Sequence, residues 1–261
     1  MINKIYNEDC LDTMARMKDN FIDLTVTSPP YDNLRTYKNK VDETWGENVW
    51  KPIIKELYRV TKDGGVIIWV IGDATIKGSE TGSSFRQALF FLDIGFRLHD
   101  TMIYMKSGSP YPGNVRYKNV FEYMFVFSKG KPKTINIIKD QKNKWPEGSW
   151  GKRTERQKDG ELITKPVDIN KYGERTNIWY YRVGAGFTTK DKYAFGHPAM
   201  FPEKLAGDQI KSWSKEGDLV YDPFMGSGTT AKMAIKNNRN FVGSETIKEY
   251  CNIAEERINN A

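Results

Sequence analysis

Ser28-Pro29-Pro30-Tyr31 sets a hydroxyl, two rigid rings and an aromatic face in four consecutive residues, directly after the apolar run Ile22-Asp23-Leu24-Thr25-Val26-Thr27. Proline fixes its own φ and drives the preceding residue to an extended form, so the Ser28 and Pro29 carbonyls would leave the strand end rigidly, with no neighbouring amide to occupy them. Acceptors held in that way suit the exocyclic amine of cytosine or adenine, whose lone pair is delocalised into the ring. Gripping its two protons in tetrahedral geometry, with Ser28 Oγ and the Pro29 carbonyl as candidates, would free that lone pair to meet an incoming methyl group. Tyr31 offers a face on which a base drawn out of a duplex can stack. A structural turn with a surface tyrosine is the alternative.

The second segment is Asp222-Pro223-Phe224-Met225-Gly226-Ser227-Gly228-Thr229-Thr230, placed between a strand pattern and a helix pattern. Glycines there let the backbone turn sharply and approach a ligand, although a Gly-x-Gly also serves as a plain tight turn. The loop lacks the Gly-Lys-Ser/Thr ending of a nucleoside triphosphate site. Glu245 follows at the end of the next strand, where an acid in such a crevice accepts both ribose hydroxyls. Adenosylmethionine has such a ribose. A nicotinamide-dependent oxidoreductase is a competing reading of the loop, but it calls for a third glycine near Ala231 and leaves Ser28 to Tyr31 unexplained.

Together the two segments resemble the catalytic and cofactor motifs of the amino-methylating DNA methyltransferases, of restriction-modification type. Their order is that of the permuted beta group, with the catalytic motif first, target recognition in the middle and the cofactor loop late. Asn7-Glu8-Asp9-Cys10-Leu11 is similar to the family's amino-terminal cofactor segment, with Asp9 at the adenine contact, and His197-Pro198-Ala199-Met200-Phe201-Pro202 to the segment lining the methionine pocket. Tyr117 to Glu122 matches the region bordering the target base less closely. The likeness covers residues 1–128 and 197–258. It implies a doubly wound, Rossmann-like sheet of seven strands with one reversed, S-adenosyl-L-methionine as cofactor, and direct in-line transfer without a covalent enzyme intermediate or a metal. The cofactor residues it implies are Asp9, Cys10, His197, Pro198, Phe201, Asp222, Pro223, Phe224, Gly226, Ser227, Gly228, Thr229, Thr230 and Glu245. Ser28 stands where adenine methylases commonly carry an acid, which favours cytosine N4 as target, with adenine N6 the alternative. A catalytically silent DNA-binding module would predict a damaged cofactor site, whereas Asp222, Gly226, Gly228 and Glu245 are all present. RNA or a protein amide remains open as substrate.

The elements that must position these residues alternate short apolar runs with helical spacing, the signature of parallel strands covered by helices. Strands are predicted at Lys4–Asn7, Ile22–Thr27, Val66–Ile71, Leu98–Met105, Val120–Phe127, Asp218–Tyr221 and Asn240–Gly243. Helices are predicted over 47–61, from Ser83 or Ser84 as cap to Leu92, from Pro202 to Trp213, from Thr229 to Lys236 and from Lys248 onward. A Ser/Gly/Pro loop at 107–113 joins two of the strands. Residues 129–195 show no sustained period and read as an irregular insertion, so 1–128 and 196–261 form the expected core and 129–195 the target-recognition region.

Charge agrees with that division. The net is +7 over 261 residues, but 129–195 holds sixteen Lys/Arg against eight Asp/Glu, while the rest holds 24 against 25. Arg153, Arg156, Arg175 and Arg182 are the candidates to reach phosphates or guanine edges, with Trp145, Trp150, Trp179, Tyr180 and Tyr181 as rings for bases or packing; plain surface charge is the alternative. The expected partner is double-stranded DNA with the target base flipped out; a cognate restriction endonuclease and a second copy of the chain are partners the resemblance allows. Apolar runs are too short to cross a bilayer and the amino terminus lacks a signal pattern, which leads us to expect a cytoplasmic protein of prokaryotic or phage origin. Two cysteines and two histidines in no ligand cluster predict neither a zinc site nor a disulfide.

Overall fold

The computed structural model describes residues 1–30, 45–108, 115–145, 148 and 150–261, apart from the side chains of Trp150 and Asp168. Tyr31 and positions 109–113 of the expected loop lie outside the described residues.

From the amino end, β1 (Lys4–Tyr6) leads to α1 (Cys10–Ala15), capped by the Asp9 carboxylate, which accepts from the Leu11 amide at 2.8 Å. β2 (Ile22–Thr27) is buried throughout, and α2 (Glu47–Val60) turns Trp50, Ile53, Ile54, Leu57 and Val60 inward at helical spacing. β3 (Thr61–Ile71) begins before the apolar run that marks it in sequence. The hairpin β4 (Thr75–Ile76) and β5 (Ser79–Glu80) precedes α3 (Ser83–Asp93). Neither Ser83 nor Ser84 occupies the cap of α3. Gly82 does, and Asp73 accepts from the Ser84 amide at 2.9 Å and its hydroxyl at 2.5 Å.

The chain continues through β6 (Arg97–Lys106), β7 (Phe121–Ser128), β8 (Gln141–Lys142), β9 (Trp150–Arg156), β10 (Leu162–Asp168), β11 (Tyr172–Gly173) and β12 (Ile178–Tyr181). Then come α4 (Glu203–Trp213), β13 (Leu219–Asp222), α5 (Thr229–Lys236), β14 (Asn240–Ser244) and α6 (Lys248–Asn259).

Eight strands form one sheet in the order β1-β14-β13-β2-β3-β7-β6-β12, with β7 alone running against the others. The reversed strand is as expected, and the eighth is β12, drawn from the stretch that reads as irregular. Four residues are too few to show a period among polar neighbours, yet they alternate: Trp179 and Tyr181 are buried while Ile178 and Tyr180 face outward. These two buried rings are therefore sheet packing, not surfaces for bases. Helices cover both faces. Ile67, Trp69 and Ile71 meet α2 and α3 on one side, and on the other Gln209 of α4 brings its amide within 3.8 and 3.6 Å of the Met102 and Met124 sulfurs. Burial on both sides explains why β3 reads as an unbroken apolar run.

β2 passes through α2 to β3 in one direction along the sheet, and β13 passes through α5 to β14 in the other. The winding reverses between β13 and β2, and such a switch point opens a crevice at the carboxyl ends of the strands. Both motif loops leave the sheet there. Asp222 ties them: its carboxylate accepts from Thr27 Oγ1 at 2.6 Å, Thr230 Oγ1 at 2.8 Å and the Phe224 amide at 3.0 Å.

The chain divides into two compact units, Met1–Asn136 with Asn177–Ala261, and Ile137–Thr176. The second is narrower than the expected 129–195. Lys129 donates to the Tyr58 and Thr61 carbonyls, each at 3.0 Å, and Lys133 pairs with buried Asp23, so this basic flank is part of the larger unit. The smaller unit is an antiparallel hairpin, β9 with β10, and the short pair β8 with β11. It holds ten Lys/Arg against seven Asp/Glu, so most of the basic excess lies in its flanks.

Burial pushes the Asp222 pKa up to about 6, above the 3.8 of an ordinary aspartate, although its three hydrogen bonds pull the other way. A raised carboxylate pKa favours the folded protein fully below the unfolded value, and that contribution is lost as pH rises through the folded one; the difference is on the order of 3 kcal/mol. Asp222→Asn keeps an acceptor for Thr27 and Phe224 while Thr230 turns its proton to the Val26 carbonyl, 3.0 Å away. Its urea midpoint is expected to exceed that of the parent above pH 6, with the gap closing towards pH 4. A gap that does not change with pH would show that Asp222 is ionised throughout.

Candidate active site

A cavity of about 1160 Å³ opens at the carboxyl ends of the strands, wholly within the larger unit. Ser28, Pro29 and Pro30 line it from β2, and Asp222, Pro223, Phe224, Gly226, Ser227 and Thr229 line it from the loop after β13. Asp9, Cys10, His197, Phe201 and Glu245 complete the expected set within it. Three expected residues do not line it. Gly228 caps α5 at φ +82°, where an added Cβ would sit 2.7 Å from that of Ala254, and Thr230 points down to Asp222 and Val26. Pro198 is absent from the lining, although both its neighbours in the His197–Ala199 stretch are present.

Glu245 leaves the end of β14 with each oxygen engaged by the backbone: Oε2 accepts from the Gly226 amide at 2.9 Å and Oε1 from the Ile247 amide at 2.8 Å. These two bonds aim the carboxylate at the cavity that it lines. Asp9 stands in the same cavity, oriented by its cap on α1. Burial pushes the Cys10 thiol pKa up, which makes this residue a neutral wall. Phe224 presents an apolar face fixed edge-on by Trp45 and Trp69, with ring centres 5.4 and 6.2 Å away.

His197 is buried. Its Nδ1 accepts from the Ala199 amide at 3.2 Å, which leaves the proton of the neutral ring on Nε2. Gly226, at φ +51°, passes so near that an added Cβ would sit 2.7 Å from Nε2. The glycine is thus required by the approach of the two walls as well as by its φ. These features fit adenosylmethionine: carboxylates at two strand ends for hydroxyl and amine donors, an apolar face, and a loop stripped of side chain at its closest approach.

The far wall carries Tyr104, Lys106 and Glu122, with Lys106 Nζ 2.8 Å from Glu122 Oε1, and the exposed Tyr117. Arg116 and Lys118 add positive charge to the lining, and Arg116 also holds the β4–β5 turn through the Gly78 carbonyl at 2.7 Å. Sequence reading placed the cations for DNA in the insertion, gave 117–122 only as similar to the region bordering the target base, and passed over Tyr104, Lys106 and Arg116. For Tyr104 and Lys106 the signal was the alternation of β6, which sets them on one side. It also missed Arg257, although Tyr250, Ala254 and Arg257 share the inward stripe of α6.

The insertion arginines separate into two groups. Arg153 and Arg156 are exposed on β9, but an odd spacing sends them to opposite faces, and Arg153 lies 3.3 Å from Glu155. Arg175 forks onto Asp140, with Nε 3.1 and 3.2 Å from the two oxygens, so its guanidinium ties the small unit together instead of facing solvent. Arg182 follows β12 in the larger unit, exposed and lying 3.6 Å over the Phe187 ring, and the next residue, Val183, lines the cavity. Among the described residues no group of three His, Cys, Asp or Glu could hold a metal, and both cysteines are free thiols.

The model of the DNA methylase family matches residues 22–256. Orphan methyltransferase M.BamHII of Bacillus amyloliquefaciens is 57% identical over 251 residues, covering 94% of this chain and 92% of that protein. Among solved structures, PvuII DNA methyltransferase (cytosine-N4-specific) has a TM-score of 0.69 at 21% identity, covering 98% of this chain and 86% of its own. The M1.HpyAVI–SAM complex has a TM-score of 0.63 at 21% identity, with 98% of each chain covered. The family match takes in both motif loops and every strand from β2 to β14, so the chain belongs to the N6/N4 DNA methylases.

Proposed function

We propose that this methylase transfers its methyl group to the exocyclic N4 of cytosine, in a base flipped out of double-stranded DNA. The observation that carries the choice of base is Ser28. It heads the Pro-Pro segment on the cavity wall at the switch point, where a carboxylate is common among adenine methylases. The PvuII enzyme, similar in fold, is itself described as cytosine-N4-specific.

The bound cofactor supplies an electrophilic methyl group on a sulfonium. Ser28 Oγ and the Pro29 carbonyl would accept hydrogen bonds from the two amine protons and free the nitrogen lone pair for the methyl group that the cofactor would supply, after which the amine would shed one proton to solvent. A neutral serine can hold a proton without drawing the base into an ion pair, which suits an amine that must stay nucleophilic. Asp9 and Glu245 hold the adenosine end, His197 and Phe201 border the methionine end, and Tyr31 is assigned the stacking face. Catalysis on this reading is largely positioning. Arg153, Arg156 and Arg182 are assigned to DNA phosphates, joined by Arg116 and Lys118 at the cavity, while Arg175 is withdrawn. The reading fits a cytoplasmic enzyme of prokaryotic or phage origin, within or beside a restriction-modification system.

Incubating the protein with tritiated adenosylmethionine and unmethylated DNA, followed by digestion to nucleosides, is expected to place the label in N4-methylcytosine. Label in N6-methyladenine would keep the family and reject the serine argument; no label in DNA alongside intact cofactor binding would reject the substrate.

Arg182→Ala is expected to weaken DNA binding similarly for all sequences and to lower the slope of log K against log salt by about one. An unchanged slope would remove Arg182 from the phosphate contacts.

A further inference from the structure

Beneath the glycine loop lies a group of four charged side chains that neither the base nor the cofactor explains. Arg257 of α6 is fully buried at 0% exposure. Its Nη1 donates to the Ser227 carbonyl at 2.8 Å and to the Ser227 and Thr229 hydroxyls at 3.0 Å each. Its Nη2 reaches Glu203 Oε1 at 2.7 Å and its Nε reaches Asp191 Oδ2 at 2.9 Å. Lys232 of α5 donates to the same two carboxylates, at 2.6 Å to Asp191 and 2.8 Å to Glu203. Burial works against both acids, but the hydrogen bonds from Lys232 and Arg257 outweigh it and hold their pKa values below the usual range.

Two cations thus balance two anions. Well-packed apolar groups would stabilise such a site as well or better, since the desolvation of buried ions offsets most of their attraction. The choice of partners is more informative. Ser227 and Thr229 belong to the cofactor loop and line the cavity, whereas Asp191 and Glu203 bracket the segment that delivers His197, Met200 and Phe201 to its opposite side. One guanidinium therefore holds two walls of the same pocket from below. A planar fork with five donors can join acceptors that diverge in this way; an ammonium cannot reach them all.

We infer that Arg257 is a positioning residue for the cofactor, fixing the Ser227–Thr229 loop against the 191–203 segment so that the two walls keep the spacing adenosylmethionine requires. This rests on the reading that the cavity at that loop holds the cofactor. Arg257 touches no reacting atom, and its loss acts on affinity, not on the transfer itself.

The test uses the whole protein and S-adenosylhomocysteine as probe, with its Kd measured by calorimetry alongside the urea midpoint and the steady-state constants for adenosylmethionine. Arg257→Lys is expected to raise the Kd of the probe and the KM of adenosylmethionine about tenfold, with kcat within about twofold. Thr229→Val, which removes one acceptor and is the milder change, is expected to raise the Kd about threefold. Lys133→Met breaks the ion pair with Asp23 and serves as the comparison, with a lower urea midpoint and an unaltered Kd. A lower midpoint with unaltered Kd in both Arg257→Lys and Thr229→Val would overturn the inference and leave Arg257 a structural residue. If Arg257→Lys does not fold, Glu203→Gln, which removes one anion from the guanidinium outside the cavity lining, decides in its place: a raised Kd supports the inference and an unaltered Kd with a lower midpoint overturns it. Glu245→Ala tests the underlying reading separately: undiminished binding of the probe there would mean that the cofactor sits elsewhere, whatever the Arg257 variant does.

Discussion

A carboxylate sealed between two strand ends is the constraint on which the site depends. Asp222 closes β13 and draws its hydrogen bonds from Thr27, at the end of β2, and Thr230, in the first turn of α5. The adjacent strands pair only through Val220 with Leu24 and Tyr221 with Thr25, so beyond that short ladder Asp222 sets the distance between the two loops. The proline segment and the glycine loop line the same cavity, and where two groups must meet to react a wrong spacing of about 1 Å has large consequences. Thr230 belongs to this tie, which explains why a residue of the motif faces away from the cavity.

The parts of the fold that could be read from sequence are those set by local rules. An apolar alternation marked β2, a continuous apolar run marked β3, closely spaced glycines marked the cofactor loop, and two prolines after a strand marked the segment that leaves it. The cap of α3 could not be read because its acceptor, Asp73, comes from another loop, and local rules favour the nearer serines. β12 was hidden because four residues are too short for a period and the sheet supplies the order. Arg175 read in sequence as a cation for DNA or solvent, and Arg257 was passed over. Only the packed chain reveals that Asp140 holds one and that two carboxylates and a loop enclose the other. The motif positions that line the cavity, from Ser28 to Glu245, were legible; the groups that hold them in place were not, since these answer to neighbours distant in sequence.

The basic excess shows how composition and structure can part. Its count over 129–195 is correct, yet Lys129 and Lys133 serve the base of the sheet, Arg175 is held by Asp140, and the hairpin of the small unit is only mildly basic. The cations that reach the cavity, Lys106, Arg116 and Lys118, come from a stretch whose net charge gave no signal. Net charge measures a whole segment, whereas a phosphate senses only those side chains left facing water.

The pairing of β1 with β14 has a consequence for how the enzyme comes into being. Asp9 and Cys10 leave the ribosome early, but the pocket they share with Glu245 and Tyr250 cannot close until β14 and α6 have emerged. The segment at Ser28 is therefore synthesised long before the opposite wall of the cavity exists. The cavity is complete only when synthesis has passed α6 and the late strand has found the early one. Such pairing of distant segments folds slowly. Translation thus carries a built-in delay between the first strand of the sheet and a pocket able to hold a ligand.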